Sequence, residues 1–266
     1  MIWLLAILAV LLLAGVVYWQ LIIAEGAYLG QRVVTLLYDR AAHEYDEIKE
    51  YGQLDEYYYL AMPLNEALGI YFDGLILDVA AGTGRVAEAM AQLSHFRGRV
   101  IAVDSSAKML LEARKKMPQL PLVQADAMAL PFADNSAEAV TSLEALEFLP
   151  RPLGGVAEMT SVLKPNGVLL TTHRVGWETK LMPGKVVGAA RWVRMLATVP
   201  LTDIAIRVWE TVDCFNFRAE QDAEIEEIIA ERLKVSLIKR IILEFTTSRY
   251  QKVWARKPGV GRASGE

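Results

Sequence analysis

Apolar and polar positions divide the chain into stretches of different pattern. From Ile2 to Ala24 the only strongly polar side chain is Gln20. A helix of that length spans about 33 Å at ~1.5 Å per residue, enough for a hydrocarbon core of about 30 Å. Trp3 at one end and Tyr18 with Trp19 toward the other stand where interfacial aromatic belts form. A cleaved signal peptide fits less well, because no basic residue precedes the run, the run is long and no small-x-small cleavage site follows. A soluble core helix fits less well still, since nothing polar breaks the circumference. The expected element is one uncleaved membrane-spanning helix over residues 1–24. Arg32 and Arg40 follow it and no Lys or Arg precedes it, which favours a cytoplasmic catalytic domain, while Glu25 and the amino terminus blur that count.

Residues 25–73 read as a helical cap segment, with Val33, Leu37, Ala41 and Tyr45 close to one face. After Gly74, "LILDVA", "RVIAVD", "LPLVQADA", the start of "EAVTSLEALEFL" and "KPNGVLLTTH" read as five strands. "RVAEAMAQL", "AKMLLEARKKM" and "GGVAEMTSVL" read as helices between them, and Asn166 with Gly167 suits left-handed turn positions. Strands alternating with helices imply right-handed βαβ units. Toward the end, "EIEEIIAERL" reads as a helix, and "VSLIKRIIL" and "RYQKVWAR" as strands joined by the short "EFTTS", hence an antiparallel pair. The expected fold is α/β: a doubly wound, Rossmann-like, mostly parallel sheet with an antiparallel edge hairpin near the C-terminus, preceded by one transmembrane helix. The domain spans 74–257, with a substrate lid or insertion over 174–215, and 258–266 reads as a disordered tail.

Composition narrows the function classes. A hydrophobic content of 53% over 266 residues supplies a large core, and a net charge of −4 argues against a nucleic-acid partner. The single cysteine, Cys214, excludes an internal disulfide and a cysteine-based zinc cluster, and no metal site is expected.

The chemistry concentrates where the first strand turns into its helix. Ligands of a doubly wound sheet bind beyond the carboxyl ends of the strands, where strand order reverses. Gly82 and Gly84 there allow a close backbone approach and dihedrals that a Cβ forbids. Gly82-Thr83-Gly84-Arg85-Val86-Ala87 also satisfies the weak G-x-G-x-x-A dinucleotide pattern, so a nicotinamide-dependent oxidoreductase remains an alternative. The flanking acids favour another ligand. Asp78 precedes the glycines, Asp104 ends the second strand and Asp126 follows the third. Three carboxylates suit a ligand with an ammonium, a ribose diol and an amino-purine, and would repel a diphosphate.

This set of positions resembles the class I S-adenosylmethionine-dependent methyltransferases, in particular the type 11 branch with the ubiquinone and menaquinone C-methyltransferases. "LDVAAGTG" is similar to that family's first motif, "VDSSAKMLLEARKK" to its second-strand region and "ADAMALPFADNSAEAV" to its third. "EALEFLPRP" followed by "LKPNGVLLTT" is similar to its later motifs, so the resemblance covers about residues 33–173. It implies S-adenosyl-L-methionine as cofactor, with Asp78, Ala80, Gly82 and Gly84 bordering its methionine part. Asp104 with Ser105 would take the ribose, and Asp126 with Ala127 the adenine. Met109 belongs to the implied set, although Met109 and Met117 also read as core. "YDRAAHEYD" is similar to the family's N-terminal segment, which would bring Tyr38 and Tyr45 to the cofactor. Asn166 replaces the more usual glycine, and Glu138-Ala139 a frequent aspartate entering the fourth strand.

A weakly acidic acceptor needs a base. His173, ending the fifth strand, is the candidate, with Glu144 and Glu147 after the fourth. In the lid, "KVVGAARWVRMLATV" places Val186, Ala189, Ala190, Val193 and Ala197 on one helical face and Arg191 with Arg194 opposite. Such a helix suits an anionic bilayer, an apolar acceptor pocket or a plain surface position. The expected acceptor is a small hydrophobic molecule, a quinone precursor or lipid, reached by an enzyme held to the membrane by its N-terminal helix. A soluble acceptor and a non-catalytic membrane adaptor are the other readings.

Overall fold

The computed structural model describes residues 2–49, 53–174, 180–208 and 250–257. Helix α1 (Ile2–Tyr18) continues through a π-turn at Trp19–Ile23, giving a 22-residue apolar helix with no buried residue. It is long and apolar enough to cross a membrane. A tight turn with buried Ala24 and Ala27 leads to α2 (Gln31–Ala41), α3 (Tyr45–Lys49), α4 (Gln53–Glu56), a second π-turn (Tyr57–Ala61) and α5 (Met62–Leu68).

The described strands are β1 (Leu75–Val79), β2 (Arg99–Asp104), β3 (Leu122–Gln124), β4 (Ala137–Ser142), β5 (Leu163–Arg174), β6 (Thr202–Val208) and β7 (Tyr250–Arg256). They form one sheet in the order β3-β2-β1-β4-β5-β7-β6. The pairs among β1 to β5 are parallel, and β7 runs antiparallel to both β5 and β6. The alternating pattern is visible in β1. Ile76 packs with Ala102, Met90 and Leu170 on one face, and Leu77 and Val79 with Val103, Val140 and Met159 on the other. A strand apolar on both faces belongs at the centre of a covered parallel sheet. Asp78 is the one charged interruption of that core strand.

Between the strands run α6 (Arg85–Ala91), α7 (Ala107–Lys116) and α8 (Pro152–Val162). The Ser106 hydroxyl caps α7 by accepting the Met109 amide at 3.1 Å, while Arg114, Lys115 and Lys116 complement its C-terminal dipole. Proline in the first turn of α8 costs no hydrogen bond there. The second half of the cap segment belongs to the domain core: Leu60, Ala61 and Leu64 are buried with Ile76 and Val86.

Two expectations change. The antiparallel edge is present, but the described outer partner of β7 is β6, a stretch assigned from sequence to the lid. The expected partner at 235–243, the helix at 224–233 and the tail at 258–266 lie outside the described residues. In the lid, α9 (Ala189–Leu196) buries Trp192 and Leu196, whereas Ala190 and Ala197 are exposed. Burying Trp and Leu removes far more apolar area from water than burying Ala, so the large residues fix the helix's rotation.

Candidate active site

A cleft opens beyond the carboxyl ends of β1, β2 and β4, under α2 and α3. This is the switch point where connections leave β1 and β4 in opposite directions. The chain enters it through three left-handed residues, Ala80 (φ +57°), Gly82 (φ +54°) and Gly84 (φ +88°). At Gly84 a Cβ would lie 2.8 Å from Met117 Cε and 3.4 Å from Ala113 Cβ, so the missing side chain lets α6 start against α7. At Gly82 the nearest side-chain atom is Tyr45 Cε1, 4.0 Å from such a Cβ, across the cleft. Ala80 and, after β4, Glu144 (φ +52°) hold the same left-handed conformation without glycine's freedom.

The three expected carboxylates occupy successive positions. Asp78 is buried, and its Oδ1 accepts from Thr141 Oγ1 at 2.7 Å because parallel pairing sets Thr141 beside it. Its Oδ2 is buried without a hydrogen-bond partner and borders a side hollow that shares Tyr45, Ala80, Gly82 and Leu143 with the cleft. Burial, with repulsion from Asp104, pushes the Asp78 carboxyl up to about 7 against the opposing pull of Thr141, Arg85 and the Val86 amide. Asp104 lines the cleft itself, accepting the Gly82 amide on Oδ2 and the Ser106 amide on Oδ1, each at 2.8 Å. Burial raises its carboxyl too, opposed by those amides. Asp126 stands outside the cleft lining, at an exposed hollow sharing Gln31 and Thr35 with it. There Asp126 Oδ1 accepts from Gln31 Nε2 and from the Met128 amide, both at 2.8 Å.

The roof of the cleft is stitched down by side chains. Descending the cap, Gln31 meets Asp126, Thr35 meets Ser105 at 3.1 Å, Asp39 accepts from Ser106, and Asp46 accepts from Thr83 at 2.5 Å. Lys49 pairs with Glu144 at 2.9 Å. Glu56 takes two hydrogen bonds from Arg85, at 2.6 and 2.9 Å. Arg85 also reaches Glu144 at 2.7 Å. Burial alone would raise the Glu144 carboxyl, but Lys49 and Arg85 bring it below its ordinary value. Sequence reading did not find Lys49, Glu56 and Arg85. Ion pairing between segments 29 to 95 residues apart leaves no local periodicity to detect.

Tyr38, Tyr45, Ser105 and Ala127 line the cleft together with Ala80, Gly82 and Asp104. Tyr38 and Tyr45 have ring centroids 5.9 Å apart, and Phe148 meets Tyr38 edge-on at 5.7 Å. Met109 is buried within α7, outside the cleft lining. His173 lies in a different small hollow. Its Nε2 is 2.6 Å from the Val187 carbonyl and its ring stacks on Trp192, so Nε2 carries the donated hydrogen and burial keeps the imidazole neutral. That contact fastens β5 to the lid. Among the described residues no group of three or more His, Cys, Asp or Glu is gathered to hold a metal ion.

Residues 77–171 match the family model described as "Methyltransferase domain". Those residues therefore carry a methyltransferase domain. The demethylmenaquinone methyltransferase of Renibacterium salmoninarum is 36% identical over 143 residues, 53% of this chain and 58% of that protein. That of Staphylococcus aureus is 30% identical over 137 residues, covering 50% and 57%. The chain thus spans about half the length of the curated relatives it matches. Among solved structures, the [4+2]-cyclase SpnF superposes with a TM-score of 0.61 at 20% identity, over 86% of this chain and 97% of that one. At that identity the likeness speaks for the fold alone.

Proposed function

We propose that the protein transfers a methyl group from S-adenosylmethionine to a small, lipid-soluble acceptor while held at a membrane by its N-terminal helix. The observation that carries the cofactor half is Asp78 Oδ2, buried beside the hollow at Gly82 with the Val86 amide near the carboxyl but no donor in hydrogen-bonding geometry. A buried carboxyl oxygen without a donor is costly, and a ligand ammonium removes that cost. Asp104 then serves a ribose diol with the lone pairs its two amide contacts leave, and Ser105 and Ala127 flank it. Asp126, Gly84 and Met109 take supporting places, at the rim, in the turn and under α7. The bound cofactor supplies an activated methyl group, so the protein has chiefly to align the acceptor and exclude water.

For the acceptor, the support is the apolar end of the cleft at Val34, Tyr38, Phe148 and Leu149, on the side facing the base of the 22-residue helix. The names of the matched relatives, which act on demethylmenaquinone, point the same way. By position Glu144, in the cleft lining, is nearer an acceptor than His173, although Lys49 and Arg85 lower its basicity.

The test uses the full-length protein in lipid vesicles with methyl-labelled cofactor and a cell extract, the lipids and polar metabolites being separated afterward. Label in the lipid fraction is the expected result. Label confined to the polar fraction removes the lipid acceptor. Absence of label with no binding of S-adenosylhomocysteine by calorimetry removes the transferase reading.

A further inference from the structure

The apolar helix does not reach the domain through a loose linker. Trp19, in its last turns, donates from Nε1 to the Leu181 carbonyl at 2.9 Å. Tyr28, just past the helix, donates its hydroxyl to the Pro183 carbonyl at 2.8 Å. The two rings lie 5.3 Å apart, forming one aromatic bracket. Between them Glu25 accepts from Tyr38 on Oε2 at 2.9 Å and pairs through Oε1 with Arg174 at 3.1 Å. A helix end fixed by these contacts sets the depth and tilt of the domain against any bilayer the helix crosses. The lid stretch 181–183 then sits at the level of Trp19 and Tyr28, where amphipathic rings favour the interface.

Behind the bracket lies a small apolar cluster. Ala27, Met182, Val186 and Phe148 are buried in it, with Val34 and Tyr38 packed alongside. Phe148, Val34 and Tyr38 also line the cleft. The cleft and the cluster therefore share a wall at Phe148, Val34 and Tyr38. Behind it stands Met182, whose unbranched thioether repacks easily, in the same cluster as the small Ala27.

We propose that this wall is the acceptor's entrance: a ring-bearing head passes from the lipid phase between the turn at 24–28 and the lid at 181–186. A long apolar tail then remains between Ala27, Phe148 and Met182 and leads back to the bilayer. The inference rests on the membrane-bound methyltransferase reading with its lipid-soluble acceptor, and adds the route by which that acceptor enters. The lid is bound to the helix base by these two carbonyl contacts and, through Arg174, by Glu25 and the Met182 sulfur; when they part, Arg174 keeps its buried partner Glu147. A soluble acceptor would have no use for an entrance facing lipid.

The probe is a 1,4-naphthoquinol with a farnesyl tail bearing a diazirine on its first isoprene unit, added to the full-length protein in vesicles. Photolysis followed by peptide mapping should label residues of the segments 24–28, 146–149 and 181–186. Label elsewhere on the chain, or none above that given by a farnesyl alcohol control, overturns the entrance. This readout needs no turnover, so a labelled entrance without methyl transfer counts against the transferase reading alone.

A reversible lock gives the second measurement. Tyr28→Cys and Pro183→Cys, in a Cys214→Ser background, are joined by a cleavable thiol-reactive crosslinker. Locking should reduce kcat/KM for the farnesylated quinol at least tenfold and leave that for tail-free 1,4-naphthoquinol within twofold, with recovery on cleavage. Equal loss for both acceptors, or no loss for either, overturns the proposal. Unchanged S-adenosylhomocysteine affinity in the locked protein confirms that the fold is intact.

Discussion

Asp104 holds the Gly82 amide at 2.8 Å, so the carboxylate at the end of β2 shapes the glycine turn at the end of β1. Its other oxygen holds the Ser106 amide at the start of α7. One side chain thereby joins two of the backbone segments that border the cleft. Asp104→Ala removes the acceptors of two amides at once. The expected loss is about 1–3 kcal/mol of unfolding free energy, by denaturant titration. S-Adenosylhomocysteine binding, followed by calorimetry, should weaken at least tenfold. Unchanged binding would show that Asp104 is a structural latch alone.

Asp78 ties ligand binding to protons. Its carboxyl titrates at about 7 in the folded, ligand-free protein, above its ordinary value of 3.8. For an acid with a raised folded value, the stability contribution is present below about pH 4 and is lost as pH rises through about 7. Asp78→Asn, which does not titrate, should therefore gain stability relative to the native chain as pH rises from 4 to 8. A cationic ligand group favours the ionised carboxylate, so binding near pH 7 should release protons. Calorimetry of S-adenosylhomocysteine in buffers of different ionisation enthalpy measures that release, and Asp78→Asn should abolish it.

Local pattern was enough to read β1, α6, β2, α7 and β5, because each is set by its own apolar period and its own turn residues. The left-handed Asn166 (φ +64°) was legible for the same reason. Gly82 and Asp104 share the cleft because the strand ends of a parallel sheet meet at one rim, whereas Tyr45 was expected there only through the family resemblance of its segment. What escaped depended on tertiary partners. Nothing near Thr202–Val208 tells that it pairs with β7 across the undescribed stretch between them. Asp126 looked equivalent to Asp104, yet β3 is three residues long and ends at the sheet edge, so its following acid faces Gln31 and solvent. His173 is on the expected strand, but the lid's Trp192 takes its ring face.

Arg174 and Glu147 form the most deeply buried ion pair described, Nε to Oε1 at 3.1 Å with side chains 4% and 3% exposed. Arg174 also reaches Glu25 and the Met182 sulfur and lies 5.9 Å from the Phe148 ring centroid. Removing one member of such a pair takes from the other its closest opposite charge in a buried place. Arg174→Ala should cost about 3–5 kcal/mol, while Arg174→Met with Glu147→Gln should recover most of that loss. Denaturant titrations of the single and double variants give the comparison. Equal losses for both would mean that packing, not charge, holds this junction.

Arg85 joins the cap to the floor of the cleft, and its loss should loosen the cap before it unfolds the sheet. Its guanidinium takes Glu56 with two hydrogen bonds and Glu144 with a third, and all three side chains are under 15% exposed. Arg85→Ala leaves two nearby carboxylates with only Lys49 between them, a loss of about 3–5 kcal/mol at that seam. Arg85→Lys retains the charge but not the planar fork and should fall between. Hydrogen exchange over 31–49 should accelerate strongly in Arg85→Ala, while β1 and β4 exchange at rates closer to native. Saturating S-adenosylhomocysteine should slow the cap again, because a ligand touching both Tyr45 and Gly82 binds only the closed arrangement. Uniform acceleration through cap and sheet would instead show that the two open as one unit.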